Sequence, residues 1–185
     1  MKGLFITGTD TGVGKTTVAA GLARLLRGRG VNVRVSKPVA TGAQRVDGRW
    51  ISSDTMALVE AAGADNAVEA VTPWEFSEPV APAVAARRHG VALSLDLLVR
   101  AVRDVDRPGA VVLVEGVGGL LCPIADSATV ADLAKRLHLP LVVVARRSLG
   151  TLSHTLLTLE VARSRGLDVA GVVVNETEPC SGLAA

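Results

Sequence analysis

Lys15 and Thr16 end a glycine-rich run, Gly8-Thr-Asp-Thr-Gly-Val-Gly-Lys-Thr16. Glycines let a backbone wrap closely around an anion, and the N–H groups of a following helix start attract it. In that setting Lys15 can reach the outer phosphates of a nucleotide and the Thr16 hydroxyl can ligate magnesium. Gly12, Val13, Gly14 and Thr17 complete the cradle. The strict spacing of this motif wants glycine at position 9. Thr9 stands there and the leading glycine is Gly8, so the loop is a variant. Glu115 follows an aliphatic run and precedes Gly116-Val-Gly-Gly119. An acid ending a buried strand beside a phosphate loop holds magnesium, directly or through water, and Gly116, Val117 and Gly118 let backbone approach phosphates. Lys37 ends another strand, its backbone fixed by Pro38. Two cations on one site suit a substrate or transition state with several negative charges. Asp54 reads equally as a helix-start dipole partner or as a site acid. Thr41 and Gly42 can hydrogen-bond a small ligand. Ser148-Leu-Gly-Thr151 reads equally as a second anion site at a helix start and as a plain capped helix. His154 has no partner histidine at metal spacing and reads as structural.

These residues need strands and helices to bring them together. Leu4–Ile6 is an apolar run of buried-strand type, and Val18, Leu22, Leu25 and Leu26 recur at helical spacing after the loop. Val31–Val35 alternates as a second strand. Residues 40–50 read as an irregular loop. Ser52 to Thr55 supplies a helix start, and the helix continues to Ala62. Residues 66–82 carry three prolines and read as an ordered loop without regular structure, followed by a short helix at 83–88. Ser94 caps a helix running to Val105. Ala110–Val114 and Pro140–Ala145 are continuous aliphatic strands, buried on both faces. Helices are expected at 130–137 and 151–165, and a last strand at 169–174 ends in Asn175.

Strand and helix alternate, so the fold class is α/β: a three-layer sandwich with a mainly parallel sheet covered by helices on both faces. Such sheets bind ligands at the carboxyl ends of their strands. Lys15, Lys37, Glu115, Arg146 and Asn175 each sit at or just past such an end. Sharing a metal requires Glu115 beside the phosphate loop. The expected order is therefore 31–35, 110–114, 4–7, 141–145, 169–174.

The length of 185 residues suits one domain, 1–185, and net charge is +2. Phe5, Trp50, Trp74 and Phe76 are the only aromatic side chains besides the histidines, poor material for stacking bases. There is no dense basic run, so a nucleic-acid partner is not expected. No apolar stretch approaches the roughly 18 residues of a membrane span, and the start lacks a signal-peptide core. Cys122 and Cys180 lack metal spacing, which fits a reducing cytoplasm.

Together the motifs resemble the dethiobiotin synthetase family of variant P-loop enzymes. The match runs from Gly3 to about Pro179. It rests on residues 7–16, Lys37-Pro-Val-Ala-Thr-Gly42, Ser53-Asp54, Glu78-Pro-Val-Ala-Pro82, residues 114–120, Ser148-Leu-Gly-Thr-Leu-Ser-His154 and Val174-Asn175. The family's loop has the same extra residue between Gly8 and Gly14. The resemblance implies a cytoplasmic homodimeric ligase of biotin biosynthesis, using magnesium, ATP and carbon dioxide on 7,8-diaminopelargonate. It implies that Thr16, Asp54 and Glu115 surround magnesium, and that Lys15 and Lys37 stabilise the carbamate and the transferring phosphoryl group. Thr11 and Thr41 would contact substrate, and Leu149 and Gly150 would approach it across the dimer interface. Asn175, with Glu176 beside it, would read adenine. Gly12 stands where some members carry an acid near the substrate amines, and the chain is expected to be C-terminally short for the family. Three alternatives are an ATP-driven switch of the partition or division-site type, a cobyrinate-type amide synthetase, and an inactive truncated copy.

Overall fold

The computed structural model describes residues 1–63 and 66–176. In chain order its elements are β1 (Gly3–Gly8), α1 (Lys15–Gly28), β2 (Val33–Ser36), β3 (Val39–Thr41), β4 (Gln44–Val46), β5 (Arg49–Ile51), α2 (Ser53–Ala62), α3 (Val68–Val71), β6 (Trp74–Phe76), α4 (Pro82–Arg88), α5 (Leu95–Val105), β7 (Val111–Glu115), β8 (Pro123–Ala125), β9 (Ala128–Thr129), α6 (Val130–Leu137), β10 (Leu141–Arg146), α7 (Thr151–Ser164) and β11 (Val169–Asn175). The main sheet is parallel in the order β11-β10-β1-β7-β2, the order expected from the sequence.

Successive strand side chains point to opposite faces. Phe5, Val112, Val114, Leu141 and Val143 enter one core with Leu98 and Val102 of α5 and Leu133 of α6. Their neighbours Ile6, Leu113, Val142 and Val144 enter a second core with Ala19 and Ala23 of α1 and Leu58 of α2. Both faces are dry, which is why these strands are aliphatic at every position. At β11 the described residues leave Val172, Val173 and Val174 exposed, and α7 exposes Leu152, Leu156 and Leu157.

Two stretches depart from the sequence reading. Residues 40–50 hold the end of β3 and a hairpin, β4 against β5, rather than an irregular loop. Its two turn residues, Asp47 and Gly48, have φ of 49° and 83°, the positive values that a tight hairpin turn needs. Residues 66–82 hold α3 and β6, and β6 pairs in parallel with β3. This small sheet serves the site: β3 leaves directly from Lys37-Pro38, and the Lys37 N–H donates to the Val71 carbonyl of α3 at 2.9 Å.

Helix starts follow local chemistry. The Ser52 hydroxyl accepts from Thr55 N–H at 3.1 Å and caps α2, which carries Asp54 in its first turn. Asp132 accepts from the Thr129 N–H and hydroxyl at the start of α6, at 2.8 and 2.6 Å, and Arg165 lies 3.0 Å from its other oxygen. Partial burial pushes the Asp132 carboxyl up, but Thr129 and Arg165 outweigh it and hold the group below its usual 3.8. A depressed aspartate adds stability above its unfolded pKa and loses it as pH falls through the folded value. Thermal melts should therefore fall more steeply with acid below about pH 4 in the wild type than in Asp132→Asn. Equal acid slopes would mean that this cap contributes no pH-linked stability.

Candidate active site

β1 delivers the glycine loop and α1 continues from it. The Thr9 N–H still follows the sheet, donating to the Val144 carbonyl at 2.9 Å. Val13 is buried and anchors the loop in the second core. Gly14 turns the chain into α1 at φ 90°, and a Cβ there would lie 1.9 Å from Asn175 Nδ2. A side chain at position 14 therefore meets backbone strain and would push the Asn175 amide off the Val13 carbonyl. Gly14→Ala should destabilise the loop by about 1–3 kcal/mol and weaken ATP in a binding titration. An alanine variant that binds ATP normally would show that the loop re-forms around the new methyl group.

Lys15, the first residue of α1, is buried, and its Nζ donates to the Asp10 carbonyl at 2.9 Å. Burial holds its ammonium below the ordinary lysine value; Glu115 offsets part of this, and the Lys37 charge adds to it. Lys37 is 3% exposed and Glu115 is 1% exposed. The Lys37 ammonium donates to Asp54 Oδ2 at 2.5 Å and to Glu115 Oε1 at 2.6 Å. Burial pushes Lys37 down, but Glu115 and Asp54 outweigh it, so the ammonium is held above its usual value. Asp54 is depressed despite burial, chiefly by Lys37, with the Thr16 hydroxyl and Lys15 assisting. The Thr16 hydroxyl donates to Glu115 Oε1 at 2.8 Å. Two carboxylates touching one ammonium lie well inside the roughly 10 Å that a shared magnesium and its water shell can span. Glu115 Oε2 is buried and has no hydrogen-bond partner among the described residues. A buried carboxylate oxygen without a partner is costly, and a cation or a water shell would satisfy it.

All of this opens on a cavity of about 550 Å³. Two lysines, two carboxylates and a glycine loop in one such cleft suit a polyphosphate and a small anionic partner. A family model described as an AAA domain matches residues 2–184. The ATP-dependent dethiobiotin synthetase BioD of Anaeromyxobacter dehalogenans (strain 2CP-C) is 49% identical over 179 residues, covering 97% of this chain and 78% of that protein. The enzyme of the same name from Bacillus licheniformis is 42% identical over 183 residues, covering 99% of this chain and 77% of that one. The chain belongs to the ATP-dependent dethiobiotin synthetase family.

Among solved structures, the kinase domain of the Escherichia coli tyrosine kinase ETK superposes with a TM-score of 0.56 at 18% identity, covering 100% of this chain and 71% of that one. The BceF tyrosine kinase domain gives 0.52 at 18% identity, covering 96% and 69%. At this identity the likeness concerns the fold.

In this dethiobiotin synthetase family member the cavity gathers most of the residues singled out in the sequence. Gly12, Gly14, Lys15, Thr16 and Thr17 line it from the loop, and Lys37, Asp54 and Glu115 from the strand and helix ends. Thr11, Thr41, Val117 and Gly118 complete that set. Val13 and Gly116 lie behind the lining, Val13 in the core and Gly116 packed near Phe5 and Val130. Asn175 does not line the cavity; its amide donates to the Val13 carbonyl at 3.1 Å. Glu176 pairs with Arg147 at 3.5 Å. Leu149 and Gly150 stand apart from the cavity and are exposed. The residue reading missed the wall built by Pro79, Val80, Ala81 and Pro82, and also Cys122. For the wall a signal existed in Glu78-Pro-Val-Ala-Pro82, a rigid run that holds its own shape. For Cys122, whose thiol burial pushes up, nothing in the sequence distinguishes it from a core cysteine.

Proposed function

We propose that this chain forms dethiobiotin from 7,8-diaminopelargonate, carbon dioxide and ATP, releasing ADP and phosphate. One amine of the substrate takes up carbon dioxide as a carbamate. The γ-phosphoryl group passes from ATP to the carbamate oxygen, giving a mixed carbamic–phosphoric anhydride. The second amine attacks the carbonyl carbon, phosphate leaves and the ureido ring closes. The observation that carries the reading is the meeting of Lys15 and Lys37, from separate elements, with Asp54 and Glu115 on one cavity.

Carbamate and phosphoryl group are both anionic and must approach one another. A cation about 4 Å away in a partly dry site offsets their repulsion by around 4 kcal/mol at an effective dielectric near 20. Lys15 serves the outer phosphates and Lys37 the carbamate side, while Thr11 and Thr41 hold the substrate. Backbone at Gly12 to Thr17 and at Gly116 to Gly118 cradles the phosphates. Thr16, Asp54 and Glu115 hold magnesium. The all-oxygen donor set and the unpartnered Glu115 Oε2 support that fit. When bound, magnesium neutralises charge on the phosphates.

The same reading places adenine near Asn175 and Glu176. It makes the active form a homodimer in which Leu149 and Gly150 approach the partner's substrate, and the exposed Leu149, Leu152 and Leu156 support a covered face there. No helix among the described residues is long and apolar enough to cross a membrane, and the reading places the enzyme in the cytoplasm. The deciding assay is ATP turnover with and without diaminopelargonate and bicarbonate. Turnover should require both. ATP hydrolysis indifferent to the diamine would favour a switch ATPase instead.

A further inference from the structure

The tip of the glycine loop has little to hold it. Asp10, Thr11 and Gly12 are exposed, and nothing packs within 4 Å of the position a Gly12 Cβ would take. Yet this tip decides where Lys15 sits, because the Lys15 Nζ donates to the Asp10 carbonyl. Asp10 makes two further contacts. Its Oδ1 accepts the Thr11 N–H at 2.7 Å, which sets the direction of the next peptide. Its Oδ2 meets Arg146 Nη2 at 2.6 Å, across 136 residues of sequence. Arg146 ends β10, the strand beside β1, and β10 is buried along Leu141–Ala145. The guanidinium therefore reaches the loop tip from a rigid base.

We propose that Arg146 is a positioning residue for ATP binding, acting through Asp10 to fix the loop tip, the Thr11 N–H and the resting place of Lys15. Arg146 does not line the site cavity and acts on it through Asp10. The ion pair is half-exposed, with the side chains 38% and 50% accessible, so its contribution to folding is small. Its effect falls on an element that would otherwise sample many conformations. A loop ordered in advance binds its ligand with less loss of freedom.

The proposal rests on the reading that this loop binds ATP. Four variants of the full chain test it: Arg146→Ala, Arg146→Lys, Asp10→Asn and the double Arg146→Ala with Asp10→Asn. Asparagine keeps an acceptor for the Thr11 N–H and removes the charge that Arg146 meets, so it isolates the ion pair. Equilibrium titration with MgATP, the KM for the diamine and thermal melts are read for each. Arg146→Ala and Asp10→Asn should each weaken ATP about tenfold, the size of coupling between contacting residues. The double variant should be no weaker than either single one. Arg146→Lys should regain part of the loss and the melting temperature should move little, while the diamine KM should rise with the ATP loss because Thr11 sits on the same tip. Three results would overturn the proposal: unchanged ATP affinity in Arg146→Ala, losses that multiply in the double variant, or a loss explained by lowered melting temperature. Failure of the wild type to bind ATP would instead remove the underlying functional reading, a separable outcome.

Discussion

Glu115→Gln should lower dethiobiotin-forming turnover by on the order of 10³, the upper range for removing one preorganised electrostatic group. Glu115 ends β7, and its register against Ile6 sets it beside the phosphate loop. One of its oxygens accepts from both Lys37 and Thr16 at 2.6 and 2.8 Å. The other is buried without a partner among the described residues. Glutamine keeps the shape and loses the charge. Its amide group would also turn a donor toward an ammonium, a hydroxyl or the proposed metal position. Lys37 would keep only Asp54, and folding stability should drop by about 1–3 kcal/mol. The half-saturating magnesium concentration should rise, while the KM for the diamine changes little. Turnover measured against magnesium concentration, beside thermal melts, checks this. A variant with wild-type turnover and magnesium dependence would remove Glu115 from the proposed magnesium ligands.

The central pair of the main sheet was legible because one chemical requirement pointed to it. Glu115 can share a cation with Thr16 only if β7 adjoins β1, and the aliphatic runs at 111–114 and 141–145 left those strands no exposed face. The short elements were not legible in the same way. β3 and β6 are three residues each, lie more than thirty residues apart in sequence and have Pro73 at the approach to β6. Their pairing is a tertiary fact with no local period to announce it. The hairpin at 44–51 did carry a signal, Asp47-Gly48, but its strands are short and largely exposed, so alternation could not reinforce the turn.

The site divides along the same line. Lys15, Lys37 and Glu115 were legible because each ends a strand or a loop with recognisable chemistry. Asp54 was ambiguous, since an aspartate in a first helical turn serves the dipole equally well. Its contact with the Lys37 ammonium places the carboxylate on the cavity, which the sequence alone could not do. The Arg146–Asp10 pair had half a signal: Arg146 stood at a strand end, but its partner lay in the loop of another strand. Residue type alone could not tell that the Asn175 amide also ties the glycine loop to β11, through one N–H on the Val13 carbonyl.

Lys37→Gln should cost 10²–10³ in turnover, comparable to losing one electrostatic donor, while ATP affinity stays within a few-fold of wild type. In the proposed mechanism Lys15 covers the outer phosphates from the loop. Lys37 enters from another strand end, held by Pro38 and by its N–H on the Val71 carbonyl, and opens on the cavity beside Thr41. Under the proposed mechanism a cation placed there would act on charge that develops as carbamate and phosphoryl group meet. Such an interaction lowers turnover when removed without weakening nucleotide binding. The structure adds a second consequence. The ammonium neutralises a carboxylate that is 1% exposed, together with the more accessible Asp54. Removing one member of a buried ion pair typically costs about 3–5 kcal/mol. The lower end applies here, because Asp54 retains access to water and glutamine can still donate one hydrogen bond. Added magnesium should recover part of the lost melting temperature in Lys37→Gln, because it supplies positive charge to the same two carboxylates. Lys15→Gln should instead damage ATP binding and turnover together. Single-turnover carbamate phosphorylation, an ATP titration and melts with and without magnesium separate the two lysines. If Lys37→Gln turns over normally, or loses ATP as badly as Lys15→Gln, the division of labour between them is wrong.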